Sequence, residues 1–414
     1  METQDCIVVG GGPGGVVLAY LLARQGRRVT LLEARGDFAR RFRGDSLAPA
    51  VMDWLDALGL GDDVLSRPHA VADAFTWHTP SRAYRIADYS TASERHPHYV
   101  LLPQPEFLTL LTERAAAFPG FRLEMSARVN GLVEEDGRVV GVRYRAADGT
   151  AREVRAPLVV GADGRFSQVR RLGGFDVEEL GAGLDILWFE VPRRPDDPPL
   201  SGLDYFSVPG RAIVALGQGA TWQLGYVIPT GSVAEAREAG VGPVVALARD
   251  RMPWLGDRLA ELTEFSQLTL LNVRITRLPS WYRPGLLLLG DAAHVISPVG
   301  GNGINIAIAD AADAGTVLGP LLAGGPVGPA ALDAACAAFE QRRRAVSDAE
   351  QAGQVRSERG TVTRLRSGDP EPFWLLKVAA AVPPLARRLG RRSASAIAIV
   401  PPSPALLAVP QPAP

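Results

Sequence analysis

The chain opens on a nearly continuous apolar block: DCIVV at 5–9, a glycine loop GGGPGG, an Ala- and Leu-rich stretch at 15–26, and RVTLLE at 28–33. This order predicts a buried strand, a loop, a helix and a second buried strand, a βαβ unit in about thirty residues. A run of roughly eighteen almost uncharged residues is also long enough to raise the question of a membrane span. Glycines clustered around Pro13 give a spanning helix nothing, whereas bare backbone suits a turn that a ligand approaches closely. Helical spacing returns at 47–60, ending at Gly59, and at 105–117, opened by Pro105.

From 121 to 162 the period changes to two. The DG dipeptides at 136–137 and 148–149 are hairpin signals, predicting a three-stranded meander that feeds the apolar strand PLVV. Residues 184–230 continue in β style with many aromatics, and after a helical stretch FSQLTLLNVRI at 265–275 completes an inserted second sheet. LLLLGDAAH resumes buried parallel-strand character, and an Ala-rich helix follows at 303–323. A further helix is predicted near 329–357, then proline-broken helical pieces and a Pro-rich tail.

Composition narrows the class. A chain of 414 residues with 47% hydrophobic content suits two or three domains sharing a large core. With 44 basic against 45 acidic residues, no overall field attracts nucleic acid, which leaves a small molecule as the expected partner. Cys6 and Cys336 form no CxxC pair, so neither a disulfide framework nor a metal site is expected. The start, Met1 to Asp5, is acidic where a secretory signal is basic, and the cytoplasm is the expected compartment.

Gly10, Gly12 and Gly15 form GxGxxG between the first strand and the first helix, and Glu33 closes the next strand. The glycines permit a tight turn, close approach of a pyrophosphate and helix packing, while the helix N-terminus supplies oriented N–H groups. Glu33 would accept hydrogen bonds from an adenosine ribose and disfavours a 2′-phosphate, so FAD or NAD fits better than NADP. Asp291, in GDAAH, emerges at the carboxyl end of an apolar strand, where α/β sheets bind ligands. GGNGIN starts a helix whose amides from Gly303 through Ile304 to Asn305 can favour negative charge on a bound ring.

With GADGRFSQVRR at 161–171 and GDAAHVISPVGGNGINIAIADA at 290–311, the sequence resembles the class A flavoprotein monooxygenases, the para-hydroxybenzoate hydroxylase group, over about residues 1–345. The resemblance implies an α/β fold: a Rossmann-like (GR2-type) FAD-binding domain from 1–180 and 272–345, an inserted β-sheet substrate domain at 181–271, and a C-terminal helical segment with a Pro-rich tail at 346–414. It places Asp291 on the ribityl hydroxyls, Pro298 near the isoalloxazine, Gly303–Asn305 at the flavin N1 and C2 carbonyl, Asp163 and Arg43 toward the diphosphate, and Gln104 toward the ribityl and phosphate region. His294 is at least as readily a structural histidine as a chemical one.

The activity so implied has NAD(P)H reduce the flavin, O2 add as a C4a hydroperoxide, and one oxygen atom pass to an electron-rich aromatic or polyketide-like substrate. The short chain after 345 and the Ala-, Arg- and Gly-rich composition suit bacterial hydroxylases that tailor natural products. A related FAD enzyme stays open: an epoxidase, a Baeyer–Villiger-type oxygenase or a prenyl- or quinone-precursor reductase. A halogenase is disfavoured by the absence of WxWxIP, and a disulfide reductase by the absence of a second GxGxxG and of CxxC. Of Trp188, Tyr205, Phe206, Trp222 and Tyr226, no more than one or two are expected to line the substrate pocket, since alternating aromatics in strands are more often core; Trp188, Tyr205 and Trp222 are the candidates and Tyr205 the foremost polar contact. No general base can be named. LARRLGRRSASAIAIV at 385–400 could touch lipid, but a basic helix packed on the protein is the stronger expectation, so membrane association is not expected. A monomer or homodimer is expected.

Overall fold

The computed structural model describes residues 4–39, 45–181, 183–298, 300–322 and 328–409. Its first sheet has six strands in the order Tyr282–Arg283, Leu286–Leu288, Val159–Gly161, Cys6–Val9, Val29–Leu32, Phe121–Glu124. All neighbours pair parallel except the edge strand Tyr282–Arg283. The central strands are buried along their whole length, as a parallel sheet covered on both faces requires. The helix Pro13–Arg24 packs on the helix Gly303–Leu321, and the close fit depends on Gly315, where a Cβ would stand 2.8 Å from Leu21 Cδ1.

The stretch expected to begin the meander divides in two. Phe121–Glu124 joins the parallel sheet, Ser126 turns the chain at φ 55°, and Arg128–Glu135 opens the antiparallel meander with Arg138–Arg145 and Ala151–Arg155. The break is tied down locally, because the Ser126 N–H donates to Arg35 O at 2.7 Å and the Ala127 N–H to Glu33 O at 2.8 Å.

The second sheet has seven strands in the order Thr269–Leu271, Leu184–Pro192, Thr221–Pro229, Arg211–Gln218, Gly202–Val208, Ala74–His78, Ala83–Asp88. Its last two strands come from a region without strand signal in the sequence. A register shift between Phe75 and Thr76 interrupts the alternation there.

One face of this sheet, with Leu187, Phe189, Ile213, Trp222 and Leu224, packs on helical segments between 233 and 262 through Leu247, Leu255 and Leu259. The opposite face turns toward the long helix Pro329–Ser367, whose Val362 and Leu365 pack near Leu184, Ala212 and Val227. That helix outruns the expected end at 357 and stops at Gly368, which takes the left-handed conformation at φ 72°.

Candidate active site

The glycine turn has the tight geometry that its motif predicts. Gly10 sits at φ +111°, and a Cβ there would lie 2.4 Å from Ala162 O; one on Gly15 would lie 2.0 Å from Gly10 O. Only glycine lets the strand end, the helix start and the 161–164 turn meet. No side chain caps the helix at Gly12, and Pro13 begins it, so its first-turn amides are open to an incoming acceptor. Glu33 is 4% exposed; Gly11 N–H donates to its Oε2 at 2.7 Å and Arg35 N–H to its Oε1 at 2.9 Å. These bonds hold the acid against the turn.

Asp163 serves the turn itself. Its carboxylate accepts from Ser167 Oγ, from Gln168 N–H at 2.7 Å and from Val169 N–H at 3.0 Å, ordering the start of the short helix Gln168–Leu172. Arg170 donates to the carbonyls of Asp291 at 3.4 Å and Ala292 at 3.1 Å, joining the 161–171 motif to the 290s. Burial pushes the Arg170 guanidinium down from its usual value, and the charges of Asp163 and Asp291 oppose that shift.

Asp291 is partly buried just beyond the strand Leu286–Leu288. His294 is structural: its Nε2 lies 2.7 Å from Asp310 Oδ2, while Arg343 Nε donates to Asp310 Oδ1 at 2.7 Å. Burial works against charge on Asp310, yet His294 and Arg343 hold its carboxyl below the ordinary range.

At the turn 297–305, Pro298 is partly buried, and Gly300 and Gly301 adopt φ of 91° and 69°. The helix Gly303–Leu321 starts without a side-chain cap, and a Cβ on Gly303 would meet nothing within 4 Å. An uncapped helix start facing open space fits an anionic or carbonyl acceptor, as the cofactor ring provides. Ile304 is buried, and the fully buried Asn305 accepts from Ala48 N–H at 2.8 Å and donates to Ser46 O at 2.8 Å, locking segment 46–48 to this helix.

The long helix fastens the same turn from behind. Ser297 N–H donates to Gln354 Oε1 at 2.7 Å, Ser297 Oγ donates to Glu358, and Gln351 donates to Val295 O at 3.0 Å. Burial pushes the Glu358 carboxyl up.

Asp45 links these parts to the second sheet. Gln104 N–H donates to its Oδ1 at 3.0 Å and the Gln218 side-chain amide donates to its Oδ2. Burial pushes the Asp45 carboxyl up to about 7; the bonds from Gln104 and Gln218 oppose the rise and the charge of Glu190 adds to it. Gln104 thus meets Asp45 through its backbone, with its own side chain buried. Arg43 lies outside the described residues.

Strand register sorts the aromatic candidates. Trp188 pairs with Gly225, which pairs with Val214, then Tyr205 and Trp77, so these share one face. Trp188 lies over Gly225, where a Cβ would come within 2.8 Å of its ring. Glu190, Gln223, Leu216 and Gln218 stand on the same face toward Asp45. Tyr205, although on that face, packs against the same Trp77, Tyr84 and Ile86 cluster as Leu376 and Ala380 and forms an edge contact with Trp77 at 4.7 Å.

Trp222 is corrected as a pocket residue. Alternation turns it to the opposite face, where it is 2% exposed and its Nε1 donates to Asp197 at 2.7 Å. Phe206 and Tyr226 pack in that same outer core. Asp45, Gln218 and Gln223 were missed by sequence reasoning. For Gln218 and Gln223 the available signal was a polar residue at a sheet position on the Trp188 face, whereas Asp45, outside any strand, offered none.

A dinucleotide turn at the carboxyl edge of a parallel sheet, facing a second sheet across an uncapped helix start, defines a flavin-dependent oxygenase scaffold. The chain matches the FAD binding domain family over residues 3–351 and belongs to it, as a class A FAD-dependent monooxygenase that uses NAD(P)H. It is 37% identical over 318 residues to 6-methylpretetramide 4-monooxygenase of Streptomyces rimosus, covering 76% of this chain and 75% of that one. Kynurenine 3-monooxygenase of Salinispora arenicola is 30% identical over 365 residues, covering 83% of this chain and 77% of that one. Among solved structures, PqsL of P. aeruginosa in complex with 2-aminobenzoylacetate superposes with a TM-score of 0.73 at 25% identity, covering 89% of this chain and 99% of that one. No helix among the described residues is long and apolar enough to cross a membrane.

Proposed function

We propose that this monooxygenase hydroxylates a phenolic or enolic, polyketide-like substrate held between the Trp188 face of the seven-stranded sheet and the turn 297–305. The observation that carries the reading is the Asp45 carboxyl, joined to Gln104 N–H at 3.0 Å and to Gln218 where the two layers meet. FAD reduced by NAD(P)H supplies the oxygen-activating chemistry when bound. Gly10, Gly12 and Gly15 admit its diphosphate to the first helix start, and Glu33 receives the adenosine ribose. Asp291 and Gln104 hold the ribityl chain; Gly303, Ile304 and Asn305 present the second helix start to the ring beside Pro298. Asp163 acts indirectly, by shaping the 161–169 turn.

Trp188 and Gln223 position the substrate ring, and Asp45 accepts the hydroxyl proton, which raises electron density at the ring carbon that receives oxygen. The working units are 1–180 with 272–345 for FAD and 181–271 for the substrate, the latter joined by strands from 74–88, and the setting is the cytoplasm. The test is an absorption spectrum followed by NAD(P)H oxidation across a panel of phenols under 18O2. Yellow protein, stimulated oxidation and one labelled oxygen in the product are expected. Colourless protein would sink the cofactor assignment, and a flavoprotein that no phenol stimulates would sink the substrate class.

A further inference from the structure

The helix Trp374–Ala381 has two apolar faces, of which one is packed on the strand Ala83–Asp88 and the other is exposed among the described residues. Its inner face sets Leu376 and Ala380 against Trp77, Tyr84 and Ile86, with Ala379 buried beside them. Its outer face leaves Trp374 69%, Leu375 59%, Val378 44% and Val382 44% exposed, next to Phe373 at 47%. Positions 374, 375, 378, 381 and 382 follow helical spacing, so the exposed residues form one stripe. Scattered apolar residues on a surface need no explanation, but a contiguous stripe headed by a tryptophan does.

The next helix, Pro383–Ser395, supplies charge. Ala386, Gly390 and Ala394 face inward, and a Cβ on Gly390 would lie 2.0 Å from Asp88 O, so this face sits tightly on the strand Ala83–Asp88. Arg387, Arg388, Arg391 and Arg392 are left exposed. Arg387 reaches Asp88 at 3.6 Å and Arg391 donates to Thr91 at 3.0 Å. From Pro372 to the C-terminus the sequence has five cations, Lys377 and these four arginines, and no Asp or Glu.

We propose that these two helices form a peripheral docking surface for an anionic lipid membrane, with the Trp374 stripe entering the interface and the arginines meeting the headgroups. Lys377 is paired with Glu371 at 3.0 Å and Arg387 with Asp88 at 3.6 Å, while Arg388, Arg391 and Arg392 add positive charge beside the apolar stripe, which matches a negatively charged bilayer surface. A second copy is a poorer occupant, because a symmetric contact would set guanidinium against guanidinium with no acid in the segment to pair them. The expectation of a basic helix packed on the protein thus describes the inner face of Pro383–Ser395; the lipid contact belongs to the outer face and begins one helix earlier.

The test is co-sedimentation of the purified full chain with vesicles of phosphatidylcholine alone or with about one-third phosphatidylglycerol, at low salt and at about 0.5 M NaCl. Binding to the anionic vesicles, suppressed by salt, is expected. The double variant Trp374→Ser, Leu375→Ser should lower the partition by about tenfold or more, and Arg388→Gln, Arg392→Gln by a similar factor. Flavin absorbance and melting temperature of the variants, compared with the parent, show that the fold is intact. Equal binding to both vesicle types, unchanged binding by both variants, or a dimer that the Trp374 variant dissociates without any vesicle binding would each overturn the proposal.

Discussion

Burial raises the Asp45 carboxyl from 3.8 to about 7, and the sign of that shift fixes its effect on stability. Below the unfolded value both states are protonated and folding carries no penalty from this group. As pH rises through the folded value, the folded state must either hold the extra proton or bury a charge, and stability is lost. Asp45→Asn should therefore match the parent near pH 4 and exceed it at pH 8, by up to about 4 kcal/mol for a shift of this size. Urea unfolding at the two pH values measures this; an unchanged difference between them would show that the carboxyl is not enclosed. The same variant should keep its yellow colour while turnover with a stimulating phenol falls, since its proposed task is proton acceptance and not cofactor retention.

At the scale of elements, the sheet separates two tryptophans that look alike in the sequence. Trp222→Phe removes a hydrogen bond to Asp197 in the outer core and should cost about 1 kcal/mol of stability without changing KM. Trp188→Ala opens the opposite face, and steady-state kinetics should show a raised KM or a fall in coupling of NAD(P)H oxidation to hydroxylation. The helices Gly303–Leu321 and Pro329–Ser367 are joined by Asp310 and Arg343, whose guanidinium also donates to the carbonyls of Ile397 at 3.1 Å and Ala398 at 3.0 Å. Arg343→Met leaves Asp310 with His294 and the Gly290 N–H in a buried site but without its guanidinium partner, and thermal melts should register a loss of about 3–5 kcal/mol.

For the whole molecule, the cofactor is expected to act as a structural element. The turns 10–15 and 161–164 and the helix Gly303–Leu321 come from distant parts of the chain; the two turns meet at the ends of paired parallel strands, and Ala307 of the helix lies against Gly14. A ligand that binds only the folded state at a thousand times its dissociation constant adds about 4 kcal/mol. Stripping FAD should lower the melting temperature by several degrees, and adding it back should restore both the temperature and the yellow absorbance.

The glycine turn, the buried parallel strands and the two helix starts were legible in the sequence because each depends on local chemistry: bare backbone, apolar runs and short-range periodicity. Glu33, Asp163 and Asp291 could be singled out for the same reason, as acids at strand ends. What only the tertiary structure decided depended on register and on partners distant in sequence. A bulge hid the strands at 74–88; alternation across the sheet sent Trp222 outward and left Trp188 facing in; Tyr205 joined the Trp77 cluster on which a C-terminal helix also packs. Asp45 carries no signal of its own until Gln104 and Gln218 close over it. Local patterns specify which backbone a segment can adopt, whereas the polarity of a buried site is set by what folding brings beside it.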